Sequence, residues 1–133
     1  MTQSLKMRSD EVQVIRADES CPIIPIVDGQ GEARAVVWPG SGARQRSLHR
    51  IVLGADAATI RLQHPMEAAY YVVRGSGVVA DDDGAAQDLR EGSMIHVNEG
   101  SAYRIRARGE GMEVIGGPCP ADETWYATLA KGA

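Results

Sequence analysis

The chain has 133 residues, with 18 acidic against 14 basic side chains and a formal net charge of −4. This charge makes nucleic acids and anionic membrane surfaces unexpected partners. No stretch approaches the roughly 20 apolar residues of a membrane span, and the polar N-terminus lacks the apolar core of a signal peptide. We therefore expect a cytoplasmic protein with one domain over residues 1–133.

Fifteen glycines and six prolines divide the chain into short segments, a spacing typical of an all-β sandwich or barrel. The first ten residues are polar, and we expect them to be disordered. The predicted strands, in chain order, are 11–17, 32–38, 47–53, 58–64, 68–75, 76–80, 86–90, 93–98, 101–109 and 111–117. In the tail, residues 116–133, Asp122 is placed to cap a short helical turn with Trp125 and Leu129 on one side. We expect this tail to pack along the outside of the barrel.

Two other features indicate no special chemistry. Cys21 and Cys119 lie near opposite ends of the chain, and in a reducing compartment we expect both to be free thiols. The acidic run Asp81-Asp82-Asp83, followed by a glycine, lacks the spaced ligands of a calcium loop and is typical of a solvated hairpin turn.

Two stretches resemble the two sequence motifs of the cupin superfamily. GADAATIRLQHPMEAAYYVVRGSG (54–77) resembles the first motif, and LREGSMIHVNEGSAYRIRA (89–107) resembles the second. The glycines at matching positions are Gly54, Gly75, Gly92 and Gly100. The resemblance, which covers residues 54–107, implies an all-β, cupin-type jelly-roll β-barrel with a short C-terminal tail or helical turn. It also implies a homodimer, for which VQVIRA (12–17) is the candidate pairing arm.

The positions at which the resembled motifs carry metal ligands hold mostly other residues here. In chain order they are Leu62, His64, Ala68 and Tyr103, so one of the four family ligands remains. A divalent metal needs three or four converging donors, and the expected cofactor is therefore none. The alternative is a divalent transition metal in a rearranged site, with donors from His64, His96, His49 and Glu67.

The resemblance and the strand alternation together predict a small-molecule pocket inside the barrel. His64 is the candidate catalytic base, and Tyr103 is the candidate proton donor or oxyanion partner. The residues expected to line the pocket are Leu62, Met66, Ala68, Tyr70, His96, Ile105 and Trp38. Tyr70 and Tyr71 must face opposite sides of their strand, as must Tyr103 and Arg104.

This pocket predicts a small-molecule-binding cupin that performs acid–base chemistry without a metal, of the isomerase, cyclase or lyase type, on an apolar or aromatic metabolite. Two alternatives stay open, so catalysis itself remains undecided. One is a non-catalytic ligand-binding or sensor protein, and the other is a metal-dependent oxygenase or lyase. The arginine-rich, lysine-poor composition suggests a high-GC bacterial source and, by analogy at the level of the fold, a place in secondary metabolism.

Overall fold

The structure is a computed structural model that describes residues 11–132, with side chains up to residue 129. The disorder expected for residues 1–10 lies outside this range. The prediction of a strand over 11–17 is wrong, because this segment has no strand pairing and Val12 and Val14 are 80% and 97% exposed. Alternation alone does not make a strand when no neighbouring strand supplies hydrogen bonds. Pairing of 12–17 with a second copy stays a prediction.

Ten strands lie within the described residues. They are β1 (Ile23–Ile24), β2 (Val27–Asp28), β3 (Gly31–Val37), β4 (Leu48–Leu53), β5 (Ala58–Thr59), β6 (Leu62–Gln63), β7 (Glu67–Asp81), β8 (Ala86–Arg90), β9 (Met94–Val97) and β10 (Ala102–Cys119). Short 3-10 turns span Pro39–Ser41 and Glu123–Tyr126, and one helix, α1, spans Ala127–Gly132. All strand pairs are antiparallel, so the all-β jelly roll is confirmed.

Strands β7 and β10 form the frame of the barrel. The sequence predicts each as two separate strands, but the structure joins them, because they pair with each other over both halves. The first half of β7 pairs with β9 and the second half with β8, while β10 also pairs with β4, β5 and β6. The predicted strand 58–64 is instead divided into β5 and β6.

Alternation along the strands separates an inner from an outer face. On β4 the buried positions are His49, Ile51 and Leu53. On β7 Tyr70 is buried and Tyr71 is half exposed, as the two-residue period predicts. The buried side chains of β3, β4, β7, β9 and β10 form one apolar cluster between the two halves of the barrel.

The C-terminal segment, residues 120–132, corrects the prediction of a tail outside the barrel. Residues 116–119 belong to β10, and Trp125 and Tyr126 are buried in the core cluster. The predicted cap is confirmed, because Asp122 accepts a hydrogen bond from the backbone nitrogen of Thr124 at 3.1 Å. The segment therefore closes the barrel from inside.

The two cysteines and the acidic turn at Asp81–Asp83 are as predicted. Cys21 and Cys119 are both free. The Asp81 side chain accepts hydrogen bonds from the backbone of Asp83 and Ala85, which is the pattern of a hairpin turn. None of the helices in residues 11–132 has the length and apolar character to cross a membrane.

The close approach of β7 to β10 at Gly75 leads to a prediction about stability. Gly75 has φ of 85°, and an added Cβ would overlap the carbonyl oxygen of Gly111 on β10. We expect Gly75→Ala to lower the free energy of unfolding by about 2–4 kcal/mol through backbone strain and overpacking. Gly92→Ala is the matched control, since Gly92 has φ of 91° and nothing within 4 Å. Urea unfolding should give the control a loss of about 1 kcal/mol, and equal losses would contradict the close approach.

Candidate functional site

His64 lies just after β6 and is the centre of a buried hydrogen-bond network. Its Nδ1 is 2.6 Å from Oδ2 of Asp122, and its Nε2 is 2.7 Å from the hydroxyl of Tyr103. An ionised carboxylate only accepts hydrogen bonds, so the imidazole proton belongs on Nδ1. Nε2 of the neutral ring is then free to accept the hydroxyl proton of Tyr103.

Tyr70 continues this chain of hydrogen bonds. Its hydroxyl is 2.5 Å from that of Tyr103, and both rings are buried. Since the Tyr103 proton points to His64, the Tyr70 hydroxyl donates to the Tyr103 oxygen. Burial raises the pKa of Tyr103, and the nearby Asp122 carboxylate adds to this rise. Burial likewise raises the pKa of Tyr70, so both phenols stay protonated at neutral pH. We call these four residues (Asp122, His64, Tyr103 and Tyr70) the His64 network.

Asp122 is the member of this network that sequence reasoning missed. The sequence indicates its capping role, but 58 residues separate it from His64, and no local pattern links the two. Burial acts to raise the pKa of Asp122, but hydrogen bonds from Thr124 and His64 outweigh burial and lower it. One carboxylate therefore caps the 3-10 turn through Oδ1 and orients the imidazole through Oδ2.

His49, on β4, forms a second buried network. Its Nδ1 donates to the carbonyl oxygen of Gly116 at 2.9 Å, and its Nε2 accepts from the Tyr126 hydroxyl at 2.6 Å. Burial lowers the pKa of His49 to about 4 and raises that of Tyr126 to about 12. The Trp125 ring packs edge-on against both imidazoles, 4.7 Å from His49 and 5.1 Å from His64 between ring centroids.

The structure brings several other predicted site residues around these networks. Leu62, Ala68 and Ile105 are buried beside Tyr103 and Tyr70 in the core cluster. Trp38 packs on Tyr126 with ring centroids 4.8 Å apart, so it covers the end of the barrel closed by the C-terminal segment. Met66 is half-buried.

The predicted place of His96 in the interior pocket is wrong, and Glu67, named only as a donor of the alternative metal site, also faces outward. Their side chains are 60% and 65% exposed and lie 3.4 Å apart on the outside of the barrel. On β9 the inward positions belong to Ile95 and Val97, so the two-residue period turns His96 outward. Alternation divides the residues of β9 into two sets that face opposite sides. Only the pairing of β9 with β7 shows which set faces the inside of the barrel.

Comparison with known proteins agrees with this geometry. A family model described as "Cupin domain" matches residues 47–115, which is just over half of the chain. The chain belongs to the cupin family. None of the curated proteins matches it.

Solved cupin structures share its fold. An RmlC-like cupin from Shewanella frigidimarina has a TM-score of 0.67 at 19% identity, with 85% of this chain and 96% of that chain covered. The polyketide cyclase RemF from Streptomyces resistomycificus has a TM-score of 0.69 at 15% identity, with 84% and 80% covered. A predicted oxalate decarboxylase from Thermotoga maritima has a TM-score of 0.64 at 20% identity, with 78% and 96% covered. At these identities the likeness shows the fold and leaves the chemistry to the residues.

The buried residues of this cupin do not fit a divalent metal. Within residues 11–132 no three His, Cys, Asp or Glu side chains converge on one point. Leu62 and Ala68 supply no donor atom. Both ring nitrogens of His64 and of His49 are already hydrogen-bonded, so neither offers a free lone pair. A rearranged site from His64, His49, His96 and Glu67 is excluded in this conformation, because the last two lie outside the barrel.

Several surface clefts are lined in part by members of the His64 network. One, of about 430 Å³, includes Tyr103 in its lining, and we call it the Tyr103 cleft. Another, of about 320 Å³, is lined by Asp122, Trp125 and Leu62, and we call it the Asp122 cleft. A third, of about 600 Å³, includes Tyr70 in its lining. The single interior pocket expected from the sequence is instead occupied by aromatic rings, and the clefts reach the network from outside.

The depressed pKa of His49 predicts how stability depends on pH. In the unfolded chain His49 takes up a proton near pH 6.5, whereas in the folded chain it does so near 4. Between these values the unfolded state binds more protons, so the free energy of unfolding falls as the pH is lowered, by about 3 kcal/mol over the window. Urea unfolding between pH 7 and pH 4 measures this slope. His49→Gln should flatten it, while His96→Gln, at an exposed imidazole, should leave it unchanged. An equal slope in all three proteins would contradict the assignment.

Proposed function

We propose that this cupin catalyses proton transfer on a small organic molecule without a metal, as an isomerase, cyclase or lyase. The observation that carries the proposal is the continuous hydrogen-bonded chain from Asp122 through His64 to Tyr103, a residue that lines a cleft. A carboxylate, an imidazole and a phenol in this order form a base that is oriented at one end and borders a cleft at the other.

The proposed step moves two protons in concert. The Tyr103 oxygen takes a proton from the bound molecule while the phenol's own proton passes to Nε2 of His64. The bound molecule keeps the electron pair of the broken bond, and the imidazolium that forms is stabilised by the Asp122 carboxylate. Return of the proton through Tyr103 to a different atom gives an isomerisation. If the retained electron pair instead forms a double bond to the neighbouring atom, and the leaving group departs with the electron pair of its own bond, the result is an elimination.

Each residue of the His64 network has a separate role in this proposal. Tyr103 is the catalytic residue that meets the bound molecule, and its raised pKa keeps the phenol neutral until the proton moves. His64 receives the proton. Asp122 is a positioning residue, because it acts only through the tautomer and orientation of His64. Tyr70 donates to the Tyr103 oxygen and stabilises negative charge there.

The closed interior favours a second candidate function, a protein that binds a ligand without converting it. Within the described residues every buried side-chain nitrogen and oxygen has a hydrogen-bond partner. Trp125 and Tyr126 also occupy the barrel end where an open pocket was expected. A fully satisfied core of this kind is suited to rigid recognition as well as to catalysis.

Hydrogen–deuterium exchange of a carbon acid separates the two functions. β-Tetralone is an apolar ring ketone with an acidic C–H, and loss of that proton in D₂O can be followed by NMR. We expect exchange above the buffer rate, with a loss of about 10²-fold or more in Tyr103→Phe and His64→Gln. Asp122→Asn should exchange more slowly and with a shifted pH profile. Tyr71→Phe is the matched control, because Tyr71 is exposed and lies outside the lining of the Tyr103 cleft. Binding of β-tetralone without any exchange would support the ligand-binding function instead.

Metal removal tests the proposal that the reaction needs no metal. Because the ring nitrogens of both buried histidines have protein partners, chelation should change neither the exchange rate nor the midpoint of urea unfolding. Elemental analysis of the purified protein should find transition metal far below one atom per chain. A stoichiometric metal, with exchange lost on chelation and restored on its return, would contradict the proposal.

A further inference from the structure

The wall of the Tyr103 cleft follows from the register of three strands. Tyr103 on β10 pairs directly with Asp81 on β7, and Ile105 pairs with Val79, which pairs in turn with Gln87 on β8. Side chains of directly paired residues in antiparallel strands lie on the same face. Asp81 and Gln87 therefore share the face of Tyr103, and all three line the cleft.

The rest of the cleft is apolar at depth and polar at its edge. Leu89 on β8 and Ile95 and Val97 on β9 are buried and supply the apolar surface. Asn98 and Ser101, in the loop before β10, are exposed and supply polar groups at the rim. This combination suits a cyclic molecule whose apolar ring meets the buried side chains and whose polar substituents meet the more extensive polar surface of the rim.

The formally charged groups of this lining are acidic. The cleft is lined by two carboxylates, Asp81 and Asp88, by the imidazole of His96, and by no lysine or arginine. Asp88 is paired with Arg108 at 2.7 Å, so its charge is compensated. Asp81 binds the backbone nitrogens of Asp83 and Ala85 through Oδ1, and its Oδ2 accepts no hydrogen bond from the described residues. Asp81 is thus the charged acceptor beside Tyr103.

The guanidinium groups nearby do not reverse this sign. Arg61 forms two hydrogen bonds with the carboxylate of Asp82, which compensates its charge. Arg104 follows Tyr103 on β10 and is exposed on the opposite face of the strand. A carboxylate or phosphate in the Tyr103 cleft would therefore face Asp81, while the basic group of the lining, His96, already has the Glu67 carboxylate 3.4 Å away.

We propose that the Tyr103 cleft takes an apolar cyclic molecule that carries an amino or hydroxyl group, and that Asp81 is the residue that selects it. The donor group of the molecule binds the Asp81 carboxylate while its ring packs on the apolar surface beside the Tyr103 hydroxyl. Carboxylates and phosphates are disfavoured by charge. This inference rests on the proposed function, because it takes Tyr103 as the group that meets the bound molecule.

Three probes with one ring system test the selection: β-aminotetralin, β-tetralol and tetralin-β-carboxylate. Titrations of the whole protein, followed by amide NMR, give affinity and location together. We expect the amine and the alcohol to shift the amides of Asp81, Gln87 and Tyr103, and the amine to bind about tenfold more tightly than the carboxylate. Asp81→Asn keeps the turn acceptor at Oδ1 and should reduce the preference for the amine over the carboxylate about two- to fivefold. Asp83→Asn, in the same turn but outside the cleft lining, is the control and should retain the preference.

Carboxylate binding equal to that of the amine, shifts located at the Asp122 cleft, no binding of any probe, or an equal effect of both variants would each overturn the inference. The outcome is separable from that of the proposed function. Loss of exchange in Tyr103→Phe with tightest binding of the carboxylate would keep the proton-transfer proposal and remove the selection by Asp81. Preference for the amine with no exchange would keep the selection and remove the catalysis.

Discussion

The hydrogen bond between Asp122 and His64 connects the C-terminal 3-10 turn, Glu123–Tyr126, to the interior of the barrel, and the arrangement of the interior depends on it. With Oδ2 accepting from Nδ1 at 2.6 Å, the imidazole has one tautomer, and its Nε2 must accept from Tyr103. The same carboxylate holds the 3-10 turn that carries Trp125 and Tyr126. One side chain thus sets both the direction of the buried protons and the placement of the aromatic rings that close the barrel.

Aromatic rings close the barrel of this protein, and two positions of the family's metal ligands carry no donor atoms. In this cupin Leu62 and Ala68 stand at ligand positions of the family motif, and Trp125 packs against both buried histidines. Each imidazole is then satisfied by a tyrosine hydroxyl and one further acceptor rather than by an ion. Burial of polar groups is tolerated because every one is paired. In the function that we propose, the chemistry takes place at the Tyr103 cleft and not in the middle of the barrel.

The fold was largely predictable because its signals are local. Period-two alternation placed β3, β4, β8 and β9 to within a residue or two, and it assigned Tyr70 inward and Tyr71 outward. Prediction failed where a strand depends on its neighbour. Residues 11–17 alternate but have no partner within the described residues. The glycines inside β7 and β10 resemble strand ends, yet pairing between the two strands continues past them.

The sequence by itself determined the barrel, the inward faces of its long strands and the pairing of His64 with Tyr103 as neighbours at family ligand positions. The inward faces follow from residue spacing, because successive side chains of a strand point to opposite sides. The type of barrel and the pairing of His64 with Tyr103 follow from the resemblance to the cupin motifs. Only the tertiary structure decided that Asp122 completes the network, that His49 faces inward and His96 outward, and that Asp81 stands beside Tyr103. Each of these depends on strand register or on the path of the C-terminal segment. Contacts between residues tens of positions apart leave no periodic trace in a single sequence.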